Sequence, residues 1–184
     1  LADGTYNNCT ITVTDSASNA SSTLDVNTFV VDTTAPVIAE VTAVTTPTNN
    51  KTPNYTFSST EAGTITYGGS CSSSTTSATT GNNTITLVSL SDGTYSNCTI
   101  TVTDSAGNVS NTLTISSFTV DSTAPVIAEV TPVTQPTTDT TPSYTFSSNE
   151  YGTITYGGSC TSSDTTAYIS NSNEVTFNTL AYGT

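Results

Sequence analysis

The chain has 184 residues, of which Thr makes up a quarter; Lys51 is the sole basic side chain among 14 carboxylates, and the formal charge is -13. Such a surface repels nucleic acid and anionic lipid, and with no His and a single Lys the chain offers almost nothing as general base or activated nucleophile, so the reading is of a non-enzyme. Thr is β-branched and suits the solvent face of a pleated sheet, which together with the scarcity of helix formers predicts an all-β chain. No apolar run approaches the length of a membrane span.

The sequence repeats itself. The opening LADGTYNNCTITVTDSASN returns at 90 to 108 as LSDGTYSNCTITVTDSAGN, VDTTAPVIAEV at 31 to 41 returns at 120 to 130, and TPNYTFSSTEAGTITYGGSC at 52 to 71 returns at 141 to 160, each displaced by 89 residues. A further LAYGT begins at Leu180, one residue late. That period is too long for a solenoid coil and matches a small β-domain. It divides the chain into a piece at 1–32, a complete copy at 33–121 and a piece at 122–184.

Within the complete copy, seven strands are predicted in chain order. Strand A covers 37–44, B 54–58 and C 64–67, with a weak C′ or D near 75–80; E covers 84–88, F 95–103 and G 112–120. In F the alternation sets Cys98, Ile100 and Val102 on one face and Thr99, Thr101 and Thr103 on the other. In G the apolar phase changes between Ile115 and Phe118, which predicts a β-bulge near Ser116 and Ser117. DSAGN at 104 to 108 reads as a hairpin turn with Gly107 at positive φ. On this reading the piece 1–32 holds strands F and G, and 122–184 holds A to E.

The linker DTTAP at 32 to 36, the DGTY entry to strand F and the VTDSAGN hairpin resemble the bacterial Ig-like (Big) domains that occur in tandem in large surface adhesins, stalks and filaments. The resemblance covers the whole chain and implies tandem immunoglobulin-like β-sandwiches of about seven strands per repeat. DGTYSNC also resembles the tyrosine corner of such domains, with Tyr95 as the corner residue, although it stands three residues before Cys98 where the family pattern has two.

The four cysteines fall at two repeat positions, Cys71 and Cys160 after strand C, Cys9 and Cys98 in strand F. Strands C and F are neighbours in an Ig-like sheet, so an intradomain Cys71–Cys98 disulfide is expected, and with it an oxidising, extracellular location at the cell surface. Four free thiols are the alternative; a zinc site lacks both CxxC and His. Cys9 and Cys160 have no partner in their own partial copies. Either the chain is a window on a longer array or successive copies of it complete one another head to tail, Cys160 bonding Cys9 of the next; the overlap of LADGT with LAYGT favours the window.

The start of strand A and the BC and FG loops lie at one end of an Ig-like sandwich, which should gather Asp32, Glu61 and Asp104, with Asp3 in reach. Asp121, Glu150 and Asp92 would form the next such junction. Carboxylates of this kind suit Ca²⁺, as in related arrays, although an Asp in a turn also serves simply to accept backbone N–H bonds. No other cofactor is expected. Sequons, among them Asn8, Asn54 and Asn97, are frequent in so Asn-rich and Thr-rich a chain and assign nothing. One TxT strand per repeat does not supply an ice-binding array, and Lys51, which becomes Thr140 in the next copy, excludes a Lys–Asn cross-link in every repeat. The leading expectation is a structural repeat of an extracellular stalk or filament; the alternative is an adhesin binding a host or glycan ligand through exposed loops, with Tyr151 and Tyr168 as its aromatic surface.

Overall fold

A computed structural model describes residues 1–179, so the LAYGT segment lies outside the described residues. The chain is all-β and forms two units, Leu1–Ser122 and Thr123–Thr184.

The first unit opens with four short strands, β1 (Gly4–Tyr6), β2 (Thr10–Ile11), β3 (Leu24–Asp25) and β4 (Phe29–Val31). They fold as one antiparallel hairpin, β1 on β4 and β2 on β3. A sandwich follows, built from β5 (Ile38–Thr42), β6 (Asn54–Ser59), β7 (Gly63–Gly68), β8 (Ser77–Ala78), β9 (Gly81–Thr86), β10 (Gly93–Tyr95), β11 (Thr99–Thr103), β12 (Leu113–Thr114) and β13 (Phe118–Val120). One sheet runs β5-β6-β9 and the other β12-β11-β7-β8, while β10 and β13 pair as a separate ribbon. These are the A, B, E and G, F, C, C′ strands of an immunoglobulin-like sandwich.

Period-two patterning builds the core. In β11 the side chains of Ile100 and Val102 are buried and the intervening threonines are half-exposed. They meet Tyr55 and Phe57 of β6 and Ile85 of β9 from the opposite sheet, all buried. Thr56 and Thr84 on the outer face share a hydroxyl hydrogen bond of 2.9 Å across the β6–β9 pair.

Strands F and G differ from the continuous runs predicted. Each divides into two, F at residues 96–98 and G at 115–117, in place of a single-residue bulge in G alone. The physical reason is a change of partners. Below the break β11 pairs with β7; above it the β10–β13 ribbon turns toward residues 46–48, and Thr48 forms a parallel bridge with Val120. At the break itself, the backbone N–H and hydroxyl of Ser116 both donate to the Glu40 carboxylate, at 3.0 and 2.7 Å.

The second unit contains β14 (Ile127–Thr131), β15 (Ser143–Ser148), β16 (Gly152–Thr153), β17 (Thr166–Ala167) and β18 (Ser170–Thr176). One sheet runs β14-β15-β18, and β16 pairs with β17. Phe146, Ala167 and Val175 are the buried residues of its small core.

Candidate functional sites: the disulfide and the carboxylate cluster

Cys71 follows the turn that ends β7, and Cys98 immediately precedes β11. Antiparallel pairing of Thr99 with Gly68 brings the two cysteines to a Cα separation of 5.2 Å, and their Sγ atoms are bonded. Both are buried. The approach is so close that a Cβ on Gly69 would run into the backbone carbonyl of Asn97, and Gly69 also has φ of 72°, so two requirements select glycine there. Cys9 and Cys160 are free thiols, each half-buried.

Tyr95 carries the corner geometry: its hydroxyl donates to the Ser91 carbonyl at 2.8 Å, and its ring stacks on Phe118 with centroids 5.3 Å apart. Tyr6 does the same in the opening hairpin, donating to Ala2 at 2.8 Å and stacking on Phe29 at 5.2 Å.

The second constellation lies where the opening hairpin meets the sandwich. Asp32 ends the hairpin, Glu61 sits in the β6–β7 turn and Asp104 opens the β11–β12 turn; one carboxylate oxygen from each lies within 4.8 Å of the others. Asp104 organises its own turn. Its Oδ1 accepts the N–H groups of Ala106 and Asn108, both at 2.8 Å, and its Oδ2 accepts the Asn108 side-chain amide at 2.8 Å. That amide also donates to the Asp32 carbonyl at 3.1 Å, which fastens the linker to the turn. Gly107 takes φ of 96° to close the turn; Ser18 takes φ of 70° at the equivalent place in the opening hairpin.

Burial would raise Asp104, but the hydrogen bonds from Asn108, Ala106 and Gly107 outweigh it and hold the carboxyl below its ordinary value. Glu61 moves the other way: burial first, then the charges of Asp32, Asp104 and Asp3, push it up. Asp3 is engaged elsewhere. Its Oδ1 accepts the N–H and hydroxyl of Thr33 and its Oδ2 the hydroxyl of Thr34, which lowers its carboxyl and pins the linker.

Of the residues proposed for the next junction, Asp92 accepts the Ser122 hydroxyl at 2.7 Å and stands 3.9 Å from the Lys51 ammonium. Asp121, in the first unit, donates its backbone N–H to the Thr48 carbonyl at 2.9 Å. Glu150, in the second, repeats the turn of Glu61: its carbonyl accepts the Ser148 hydroxyl at 2.7 Å, as that of Glu61 accepts Ser59 at 2.6 Å.

Sequence reasoning passed over two side-chain clasps on strand A. Beside the Glu40–Ser116 pair, Asn111 mimics a strand partner, accepting the Ile38 N–H and donating to the Ile38 carbonyl, both at 2.9 Å. The signal available for Glu40 was its return as Glu129 within the repeated VIAEV; Asn111 carried none.

The architecture is that of an Ig-like module. Residues 41–122 match the family model of the bacterial Ig-like domain, and the complete repeat is a bacterial Ig-like domain carrying one disulfide. No curated protein sequence matches the chain.

Proposed function

We propose that this chain is a structural segment of an extracellular stalk or filament at a bacterial cell surface, a non-catalytic array of Ig-like repeats. The observation that carries this reading is the combination of a bacterial Ig-like domain stapled by Cys71–Cys98 with a near-identical sequence on either side of it at the same period. Repetition without visible specialisation suits a spacer, a disulfide suits an oxidising location, and Pro36 and Pro125 restrict the linkers. A strand of about eight residues plus loops gives an axial rise of roughly 35 to 45 Å per repeat.

Calcium at Asp32, Glu61 and Asp104 would stiffen the linker. Two oxygens held 2.3–2.6 Å from one Ca²⁺ are about 5 Å apart at most, which the cluster satisfies, and the ligands are the hard oxygens this cation takes. A divalent cation would also neutralise the repulsion that raises Glu61. Thermal unfolding in calcium and in chelator tests this part: a higher midpoint in calcium that Glu61→Gln abolishes supports it, and identical curves refute it.

A second reading, adhesion to a glycan, rests on the exposed edge-to-face pair of Tyr151 and Tyr168, whose centroids are 6.0 Å apart. A glycan array probed with the chain and with Tyr151→Ala decides it; no signal that depends on Tyr151 removes the reading.

A further inference from the structure

We propose that the seam between strands A and G of the complete repeat is a tension lock, a row of bonds that resists pulling along the chain, with Asn111 and Glu40 as its side-chain clasps. This rests on the array reading above, in which a pull passes along the chain from one repeat to the next.

Strand A brings the chain into the repeat and strand G carries it out. They lie at the edges of different sheets, β5 beside β6 and β12 beside β11. Among the described residues the Thr48–Val120 bridge is the sole β-pairing between the two strands. Side chains span the remainder. The Asn108 amide donates to the Asp32 carbonyl at 3.1 Å. Asn111 brackets the Ile38 backbone with two bonds of 2.9 Å. Glu40 accepts the N–H and hydroxyl of Ser116 at 3.0 and 2.7 Å. Thr48 completes the row, donating its N–H to the Thr119 carbonyl at 3.0 Å and accepting that of Asp121 at 2.9 Å.

The order of these points decides how they respond to force. Residues 32, 38, 40 and 48 on the incoming side meet 108, 111, 116 and 119–121 on the outgoing side, both rising together, and the Thr48–Val120 bridge is parallel. Two parallel segments, one drawn by its leading end and the other by its trailing end, must slide past each other when the chain is pulled. All the bonds between them are then loaded at once, whereas a hairpin pulled open at its two ends loses its bonds one at a time. The unfolding rate under force follows the bonds that are lost before the barrier is crossed.

The clasps also have a local reason to exist. Ile38 is buried, so its N–H and carbonyl need partners at an edge where no strand supplies them. The Asn111 amide offers one acceptor and one donor and takes that place. Covering an edge accounts for stability in any direction; the rising order of the whole row adds a resistance specific to a pull along the chain. The disulfide stands apart from the seam, on the β7–β11 side, and keeps the segment between Cys71 and Cys98 from extending even after the seam has opened.

The test stretches the 184-residue chain at constant force in an optical trap, between peptide handles fused to its two ends. The complete repeat identifies itself, because reduction of Cys71–Cys98 frees a loop of 27 residues and should lengthen its unfolding step by about 90 Å, at roughly 3.5 Å per residue. Asn111→Ala and Glu40→Ala should each raise the rate of that step about tenfold at the parent's force while keeping its length, which also reports that the variant repeat is folded. Two controls separate the lock from general stability. Gly69→Ala weakens the β7–β11 side, and Thr84→Val removes the hydroxyl bond to Thr56 between β6 and β9. Both pairs stay together until the seam has opened, so these variants should unfold under force within about twofold of the parent rate, whatever their stability in urea. Asn111→Ala and Glu40→Ala chains that open at the parent rate, or a control that accelerates as much as they do, would overturn the proposal. Neither outcome bears on the array reading, which microscopy of the native material decides separately.

Discussion

Glu61 is the carboxyl on which burial and three neighbouring charges act in the same direction. A carboxyl whose value rises on folding stabilises the fold in its protonated form. That contribution is complete below the ordinary glutamate range and is lost as pH climbs through the raised folded-state value. Asp104 and Asp3 are lowered, so theirs is present above the ordinary aspartate range and is lost only on acidification through their lower folded-state values. In chelator, urea unfolding should therefore show stability falling as pH rises from the glutamate range toward neutrality. Glu61→Gln should flatten that fall; an unchanged slope in the variant would mean that another group is responsible. At Cys71 and Cys98, replacing both with Ala reopens a loop of 27 residues, and unfolding free energy should drop by about 2 to 4 kcal/mol.

Between elements, the close passage of β7 and β11 governs stability. Gly69→Ala must both hold positive φ and displace the Asn97 backbone, so it should cost more than about 2 kcal/mol in urea unfolding. Gly158→Ala shares the positive φ of 66° but has open space around it and should cost about 1 kcal/mol. Such contrasts show what local sequence carries. The Ile100/Val102 alternation and the exact recurrence of TITYGGSC made strands F and C legible, and their adjacency in a sandwich then suggested which cysteines lie side by side. The same topology implied that Asp32, Glu61 and Asp104 converge. The division of F and G, the Glu40–Ser116 clasp and the Asn111 bracket were not legible. The two clasps are side-chain bonds across more than 70 residues, and the division of F and G follows from a change of partner strands; no periodicity records either. The engagement of Asp3 by Thr33 and Thr34 was hidden for the same reason: an Asp 30 residues before a Thr-rich linker looks the same whether it turns to the linker or to the cluster.

At the scale of the whole molecule, a chain with one Lys and a charge of -13 has few sites for trypsin-like proteases and little tendency to bind polyanions, both suited to an exposed strut. In the linker that leads into the complete repeat, the Asp3 carboxylate accepts the Thr33 N–H and hydroxyl and the Thr34 hydroxyl, bonds that suit the proposed role. In the proposed function these repeats work as links of an extended array. Electron microscopy of the native material tests it most directly: a beaded thread with an axial spacing of roughly 35 to 45 Å per bead is the predicted result, and isolated globular particles with no such spacing would contradict it.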